Sequence, residues 1–129
     1  MLNPEAIGRT FVGAELVSVR QSEIDAFAAV IGEGEGGFAP PTFAIRIALA
    51  HSQIILSDPQ VGIEWNRVVH GDQKFMIQRP LIAGDEVRCS STIESHRAIA
   101  GSEIVTVRSD LHSDQELVIS AWSTLVVRA

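Results

Sequence analysis

The feature that most constrains the fold is a helical segment, residues 41–57, that is apolar on almost every side. Its polar residues Thr42, Arg46, Gln53 and Ser57 fall within about 60° of arc at about 100° per residue, and most of its other positions are apolar. A helix that is apolar almost all round is buried almost all round. The chain must therefore wrap another element around this helix.

The part of the chain downstream of this helix has the pattern of strands. Strand-like stretches lie at 68–79, 86–95, 103–111 and 117–127, with turns expected at 83–85, 100–101 and 112–115. Sequential strands joined by short turns are antiparallel. The pattern predicts an α+β domain in which a long central helix is wrapped by an antiparallel sheet of about five strands.

The part of the chain before the central helix predicts one strand, one short helix and a loop. Residues 11–20 are strand-like, Ser22 is expected to be the N-cap of the short helix, and Gly32 is expected to end it. The stretch 32–41 contains four glycines and two prolines and is therefore predicted to be a loop. That loop has no Lys-Ser or Lys-Thr ending, so it is not a phosphate-binding loop.

Composition limits the class of protein. The chain has 129 residues, which suits one domain over residues 1–129, and its formal net charge of −6 argues against nucleic-acid binding. The lone cysteine, Cys89, excludes an intramolecular disulfide and is interpreted as a small buried side chain. The four histidines have no metal-like spacing, so neither a zinc site nor another cofactor is expected.

The apolar segments and the N-terminus bear on localisation. No basic segment followed by an apolar run opens the chain, so no signal peptide is expected. The longest apolar stretch, 43–56, is interrupted by Arg46 and by residues 51–53, and it is too short and too polar to span a membrane. A reducing cytoplasm is the expected location.

Three stretches resemble a known family over nearly the whole chain. They are Phe38-Ala39-Pro40-Pro41-Thr42-Phe43, then residues 69–87 with Val69-His70-Gly71-Asp72-Gln73-Lys74-Phe75 and Arg79-Pro80-Leu81-Ile82-Ala83-Gly84-Asp85-Glu86-Val87, and finally residues 123–128. In order and spacing they resemble the MaoC-like dehydratase N-terminal domain family, which includes the non-catalytic subunits of heterodimeric (3R)-hydroxyacyl-ACP dehydratases. The resemblance implies a single hot-dog domain, in which the sheet wraps the central helix.

The resemblance also implies a reaction and a substrate. The reaction is dehydration or hydration of a 3-hydroxyacyl thioester on acyl-CoA or acyl-ACP, which needs a general base and a general acid. In active members an Asp and a His, separated by a short Asn-Pro segment, follow the first helix. Here Glu33 falls where the family has Asp, but no Asn-Pro follows it and no His occurs between Met1 and Ala50. The expected role is therefore that of the partner half in a heterodimer whose catalytic MaoC-like subunit supplies the pair.

Six residues are candidates for the site. Glu33, His70 and Asp72 are candidate proton carriers, and Pro41, Thr42 and Phe43 open the central helix, where backbone N–H groups could polarise a thioester oxygen. Each has a plainer interpretation: Glu33 as a surface carboxylate, His70 as a histidine bonded to a backbone carbonyl, and Asp72 as a turn or edge contact.

Other polar residues are interpreted structurally. Arg46 must reach solvent, a carboxylate or another subunit, because an unpaired buried guanidinium is costly. His51 is interpreted as a partly buried helix residue with a local partner. His96 and His112 are expected to face solvent.

Two alternatives to the partner-subunit hypothesis stay open. The chain could be a self-sufficient homodimeric hydratase that uses His70 with Glu33 or Asp72. It could also be a non-catalytic module that binds acyl thioesters without turnover, since fold alone does not decide the reaction. In each case an assembly of more than one chain is expected, because a small sheet has edge strands that need cover.

Overall fold

The computed structural model describes residues 1–32 and 37–129, and the predicted site residue Glu33 lies outside them. The two α-helices are α1 (Gln21–Ile31) and α2 (Ile45–Leu56). The strands are β1 (Thr10–Val12), β2 (Val17–Ser18), β3 (Val68–Ile77), β4 (Glu86–Ile99), β5 (Ser102–Ser113) and β6 (Glu116–Val127). Short 3-10 helices lie at Pro4–Ala6, Pro41–Ala44 and Trp65–Arg67. The predicted α+β class is confirmed.

The strands form one antiparallel sheet around α2. The order is β1-β4-β5-β6-β3, with β2 also paired to β4, so the sheet has six strands where about five were predicted. Alternate residues are buried along β5 and over residues 121–127 of β6, as expected for strands with one face on a core. That core includes Ile47 and Ala48 of α2 packed with Leu111 of β5 and Ala121 of β6. This is the hot-dog arrangement that the resemblance implied.

Enclosure of the central helix is incomplete on one side. The helix begins with the 3-10 turn Pro41–Ala44 and continues as α2, close to the predicted 41–57. Ile47, Ala48 and Leu56 are buried, but Ile54 is 71% exposed although it is apolar. The expectation that the helix is buried almost all round therefore holds where it packs on the sheet and fails at Ile54 on its exposed side.

The predicted strand at 11–20 is wrong as a single element. Val12 pairs with Ser90 and Val17 pairs with Val87, so residues 13–16 stand opposite only two residues of β4. The extra residues leave the sheet as an excursion between β1 and β2. Arg88 holds this excursion, since its Nη1 donates a hydrogen bond of 2.6 Å to the carbonyl oxygen of Gly13.

The helix and turn boundaries differ in detail from the sequence prediction. Gly32 ends α1 in the left-handed conformation with φ 79°, as predicted. Ser22 lies inside α1 instead of capping it, because the helix begins at Gln21 with Arg20 as N-cap and no capping side chain. The β5–β6 turn is shorter than predicted, because the pairing of these strands extends as far as Ser113 and Glu116.

None of the helices in the described residues is long and apolar enough to cross a membrane.

Candidate functional site

A cavity lies beside the exposed side of α2 and is named here the α2 cavity. Its volume is about 650 Å³, and its walls are α2, the excursion between β1 and β2, and the start of β4. Most of its lining is apolar, and the lining includes Phe11, Val12, Val17, Phe43, Ile47, Ala50, Ile54 and Ile55. Because residues 13–16 leave the sheet and α2 exposes an apolar side beside them, an open apolar cleft forms between the two.

The polar feature of the cavity wall is an imidazole at the end of a hydrogen-bonded chain. His51 Nδ1 lies 2.8 Å from the Ser91 hydroxyl on β4, which lies 2.8 Å from the Ser109 hydroxyl on β5. Both serines are buried. The partner of His51 is therefore on the sheet, and the expectation of a local partner on the helix is wrong.

The other ring nitrogen of His51 is turned toward the excursion. A methyl group built on Gly13 would lie 3.4 Å from His51 Nε2 and 2.9 Å from the Cys89 carbonyl oxygen. A side chain at position 13 would therefore crowd the imidazole and the sheet. Glycine leaves room beside Nε2, and within residues 1–32 and 37–129 this nitrogen has no hydrogen-bond partner.

Burial determines the protonation of both reactive groups in the cavity wall. Burial lowers the pKa of His51, so the imidazole is neutral at pH 7. Burial also raises the pKa of the Cys89 thiol to about 11, which keeps the thiol protonated and a poor nucleophile. The interpretation of Cys89 as a buried structural side chain is confirmed.

The charged side chains of the cavity lie at its rim. Arg46 Nη2 donates to Glu23 Oε2 at 3.0 Å, and the Arg46 guanidinium lies 5.0 Å from the centroid of the Phe43 ring. Arg46 thus reaches a carboxylate of its own chain, which is one of the three environments expected for its guanidinium. Glu15 and Asp58 add two more acidic groups, so the rim is acidic overall.

The predicted residues at the start of the central helix have different environments. Phe43 is buried and lines the α2 cavity, whereas Pro41 and Thr42 are exposed. Proline has no N–H to offer, and the Phe43 N–H donates to the Pro40 carbonyl oxygen at 3.0 Å. Of the donors predicted to polarise a thioester oxygen, the Thr42 N–H is the one left.

His70 and Asp72 lie far from the helix start within one chain. Both are exposed on β3, at a register shift, and His70 Nε2 lies 3.0 Å from the Asp72 carbonyl oxygen. This is the contact expected of a structural histidine. The 3-10 turn Pro41–Ala44 packs beside Ile77 at the other end of β3, and a strand rises about 3.3 Å per residue, so His70 is roughly 20 Å away.

Outside the α2 cavity, His96 and Glu103 form a histidine–carboxylate contact. His96 was expected to face solvent, but its side chain is 16% exposed and its Nε2 lies 2.8 Å from Glu103 Oε1. That expectation is wrong, because Glu103 ties His96 to the N-terminal segment through the Leu2 N–H. In the described part of the chain no group of three or more His, Cys, Asp or Glu could hold a metal ion.

Sequence reasoning missed the most distinctive polar group of the cavity. His51 and Ser52 are polar residues of the helix that lie off its polar stripe, and this placement is the signal that could have indicated a buried role. Ser91 and Ser109 gave no such signal, because isolated serines in alternating strands are ordinary. Their meeting depends on the pairing of β4 with β5.

Comparison with known proteins identifies the family to which the chain is similar. Residues 35–120 match the family described as FAS1-like, dehydratase domain region. A UPF0336 protein of Streptomyces griseus is 36% identical over 144 aligned positions that include 99% of this chain and 96% of the relative. The alignment is longer than this chain, so the relative carries residues that this chain lacks.

Two solved structures share the fold. The C-terminally truncated HadBC (3R-hydroxyacyl-ACP dehydratase) complex of Mycobacterium tuberculosis superimposes with a TM-score of 0.83 at 24% identity, covering 94% of this chain and 96% of the other. The MaoC-like dehydratase of Rhodospirillum rubrum superimposes with a TM-score of 0.71 at 18% identity, covering 98% and 96%.

Proposed function

The chain belongs to the family of FAS1-like dehydratase domain regions, and from that premise we propose that it is the acyl-binding half of a (3R)-hydroxyacyl-thioester dehydratase. In this proposal the chain holds the acyl group in the α2 cavity, and a partner chain supplies the aspartate and the histidine that move protons.

The observation that carries the proposal is an apolar cavity in whose described lining no histidine is bonded to a carboxylate. Dehydration needs one group to take the α-proton and another to protonate the leaving hydroxyl. Among the described residues of the cavity wall, His51 is the histidine, and its Nδ1 is bonded to the Ser91 hydroxyl instead of a carboxylate. The cavity is thus suited to holding a chain and poorly suited to acid–base chemistry.

The size and lining of the cavity suit an acyl chain. A volume of about 650 Å³ is in the range of small-molecule sites, about 300–1,000 Å³. Each methylene removed from water contributes about 0.8 kcal/mol, so an acyl chain of medium length could be held by burial alone. The exposed Ile54 would be covered by such a chain.

The acidic rim supports the need for a partner. Both carriers, coenzyme A and the phosphopantetheine arm of acyl carrier protein, have anionic phosphate groups at the end of the pantetheine arm that is remote from the thioester. Glu15 and Asp58 at the rim would repel these groups, and Arg46 is already paired with Glu23. In the proposed assembly the carrier is therefore bound by the other chain.

The edge strand β3 is where the partner is proposed to bind. It is ten residues long and pairs only with β6 on one side, whereas the opposite edge is made of the short β1 and β2. Val69, Met76 and Ile77 are exposed along it. A long edge strand with apolar side chains is a template for pairing with another chain, and the similarity to a solved dehydratase complex supports this assembly.

One experiment tests the proposal directly. The chain is purified alone and together with a MaoC-like chain carrying the Asp and His, and hydration of enoyl thioesters is measured for both. Activity only with the partner, together with binding of a saturated acyl thioester by this chain, supports the proposal. Binding without turnover in any combination would instead identify a non-catalytic acyl-binding module.

The self-sufficient homodimer is the second candidate, because His70 and Asp72 are exposed on β3. If two copies pair through this edge, both residues lie near the interface and could meet a substrate held by the other copy. Rapid turnover by the pure chain, lost in His70→Ala without loss of folding, would favour this candidate.

A further inference from the structure

We propose that His51 makes the α2 cavity selective for acyl chains that carry an oxygen, as a hydroxyl or keto group, beyond the carbons that react. This inference rests on the proposed function, since it assumes that the acyl chain occupies the α2 cavity. It adds a class of substrate that an apolar cavity alone would not select.

The position of the His51 imidazole leaves one of its ring nitrogens at the cavity wall. Its Nδ1 is engaged with Ser91, whereas Nε2 is left beside Gly13 at the cavity wall. An alkyl chain that fills the cavity would take water away from Nε2 without offering a hydrogen bond. A buried polar group without a partner costs free energy, whereas an oxygen on the chain would satisfy it.

The hydrogen-bonded chain from His51 to Ser109 allows His51 Nε2 to be either a donor or an acceptor. A neutral imidazole carries one proton, so Nε2 donates when Nδ1 accepts from Ser91, and accepts when Nδ1 donates. Hydroxyl hydrogens rotate, and Ser91 is bonded in turn to Ser109. Rotation of these two hydroxyls accommodates either tautomer of His51, so that Nε2 can donate to a keto oxygen in one tautomer and can accept from a hydroxyl in the other.

The proposed contact between His51 and an oxygen of the acyl chain lies away from the reacting carbons. In the proposed assembly the partner chain holds the reacting carbons near its Asp and His, and this chain holds the remainder of the acyl group. His51 lies in the second turn of α2, and the buried Ser91 and Ser109 behind it belong to the sheet. The oxygen that His51 contacts is therefore on a later carbon of the chain than the 3-hydroxyl.

The test compares saturated acyl-CoA molecules that cannot be dehydrated at the third carbon. Octanoyl-CoA is compared with octanoyl-CoA bearing a hydroxyl at the fifth, sixth or seventh carbon, by calorimetry on the chain alone and on its complex with the catalytic partner. At least one hydroxylated chain is expected to bind roughly three- to tenfold more tightly than octanoyl-CoA, the value of one net hydrogen bond.

Three substitutions at His51 distinguish loss of its hydrogen bond to the ligand from loss of folding. His51→Leu should abolish the preference and strengthen binding of octanoyl-CoA. His51→Gln keeps an amide near the position of Nε2 and should retain part of the preference, whereas His51→Asn keeps only the amide near Nδ1 and should lose it. Thermal unfolding identifies any variant that fails to fold, and equal binding of all the ligands by the unmodified protein would overturn the proposal without any variant.

The outcomes distinguish the two proposals. Equal binding of octanoyl-CoA and of all three hydroxylated chains overturns the role of His51 and leaves the acyl-binding function standing. Failure of every acyl-CoA to bind overturns both proposals. A preference that persists unchanged in His51→Leu overturns the assignment of selectivity to His51.

Discussion

Arg79 and Asp85 form a two-pronged ion pair, with Nη1–Oδ2 and Nη2–Oδ1 distances of 2.9 Å each. The Asp85 carboxylate also accepts the Ile82 N–H at 2.9 Å and the Ser113 hydroxyl at 3.1 Å. One buried carboxylate thus joins the end of β3, the turn before β4 and the end of β5. This accounts physically for the Arg79-Pro80 and Gly84-Asp85 spacing in the stretch that most resembles the family.

Removal of the Asp85 carboxylate should destabilise the fold. We expect Asp85→Ala to lower the free energy of unfolding by about 2–3 kcal/mol, since hydrogen bonds to a charged group contribute about 1.5–3 kcal/mol. The matched control is Glu116→Ala, because Glu116 also contacts Arg79 at 2.9 Å but its side chain is 60% exposed. An exposed ion pair contributes at most about 1 kcal/mol. Equal effects in urea unfolding would contradict this reading of the ion pair.

The Asp85 carboxylate should make the free energy of unfolding depend on pH in the acidic range. The hydrogen bonds from Arg79 hold the pKa of Asp85 below its ordinary value of 3.8, in spite of burial. A carboxyl whose pKa is lowered by folding stabilises the protein above its unfolded pKa, and this contribution is lost as pH falls through the folded pKa. Asp85→Asn should therefore lose less stability than the unmodified protein as the pH falls below the ordinary pKa of 3.8 and through the lowered pKa of Asp85. Parallel pH profiles of the unfolding midpoint would contradict this.

The sequence predicted those parts of the fold that depend on local pattern. The apolar circumference of 41–57 indicated the central helix, and Gly32 and Ala100-Gly101 marked an end and a turn that the structure has. Periodicity could not predict the excursion between β1 and β2. That excursion arises from the register against β4, more than 70 residues away in the chain.

The candidate site was less predictable than the fold. Phe43 was predicted at the site and lines the α2 cavity, but His51 was expected to have a partner on its own helix. Its partner, Ser91, is 40 residues away in sequence, and such a contact exists only once helix and sheet have packed. Pairs of this kind cannot be derived from one sequence, because nothing local to either residue depends on the other.

The α2 cavity can be filled from within to test whether it holds the acyl chain. Ala50 lines the cavity on an exposed part of α2, so Ala50→Phe should occupy the cavity without crowding the core. We expect the affinity for octanoyl-CoA to fall more than about tenfold, the equivalent of about two methylenes at ~0.8 kcal/mol each. Gln53→Phe, which adds the same group on the exposed polar stripe, is the control. Unchanged affinity in Ala50→Phe would place the acyl chain elsewhere.

Charge placed on β3 should weaken assembly. We expect the chain to form more than a monomer at micromolar concentration, and the double variant Val69→Asp, Met76→Asp to shift light scattering toward one chain per particle. Both residues are exposed, and carboxylates there would be costly to bury between two sheets. Val30→Asp is the control, since Val30 is 85% exposed and belongs to α1 instead of β3. A monomer before any substitution would contradict self-association of the lone chain through this edge.

The last prediction concerns catalysis by the chain and by its complex. Purified alone, the chain should hydrate enoyl thioesters poorly, because loss of one general acid–base group typically reduces the rate by about 10²–10⁴-fold. With a partner carrying the Asp and His, activity should appear, and it should persist in Glu33→Gln and in His70→Ala. The physical reason is that proton transfer then takes place on the partner, while His70 bonds the backbone of Asp72. Steady-state rates for the lone chain, the complex and both variants provide the measurement. Fast turnover by the lone chain that disappears in a folded His70→Ala protein would show that two copies of this chain form the enzyme without help.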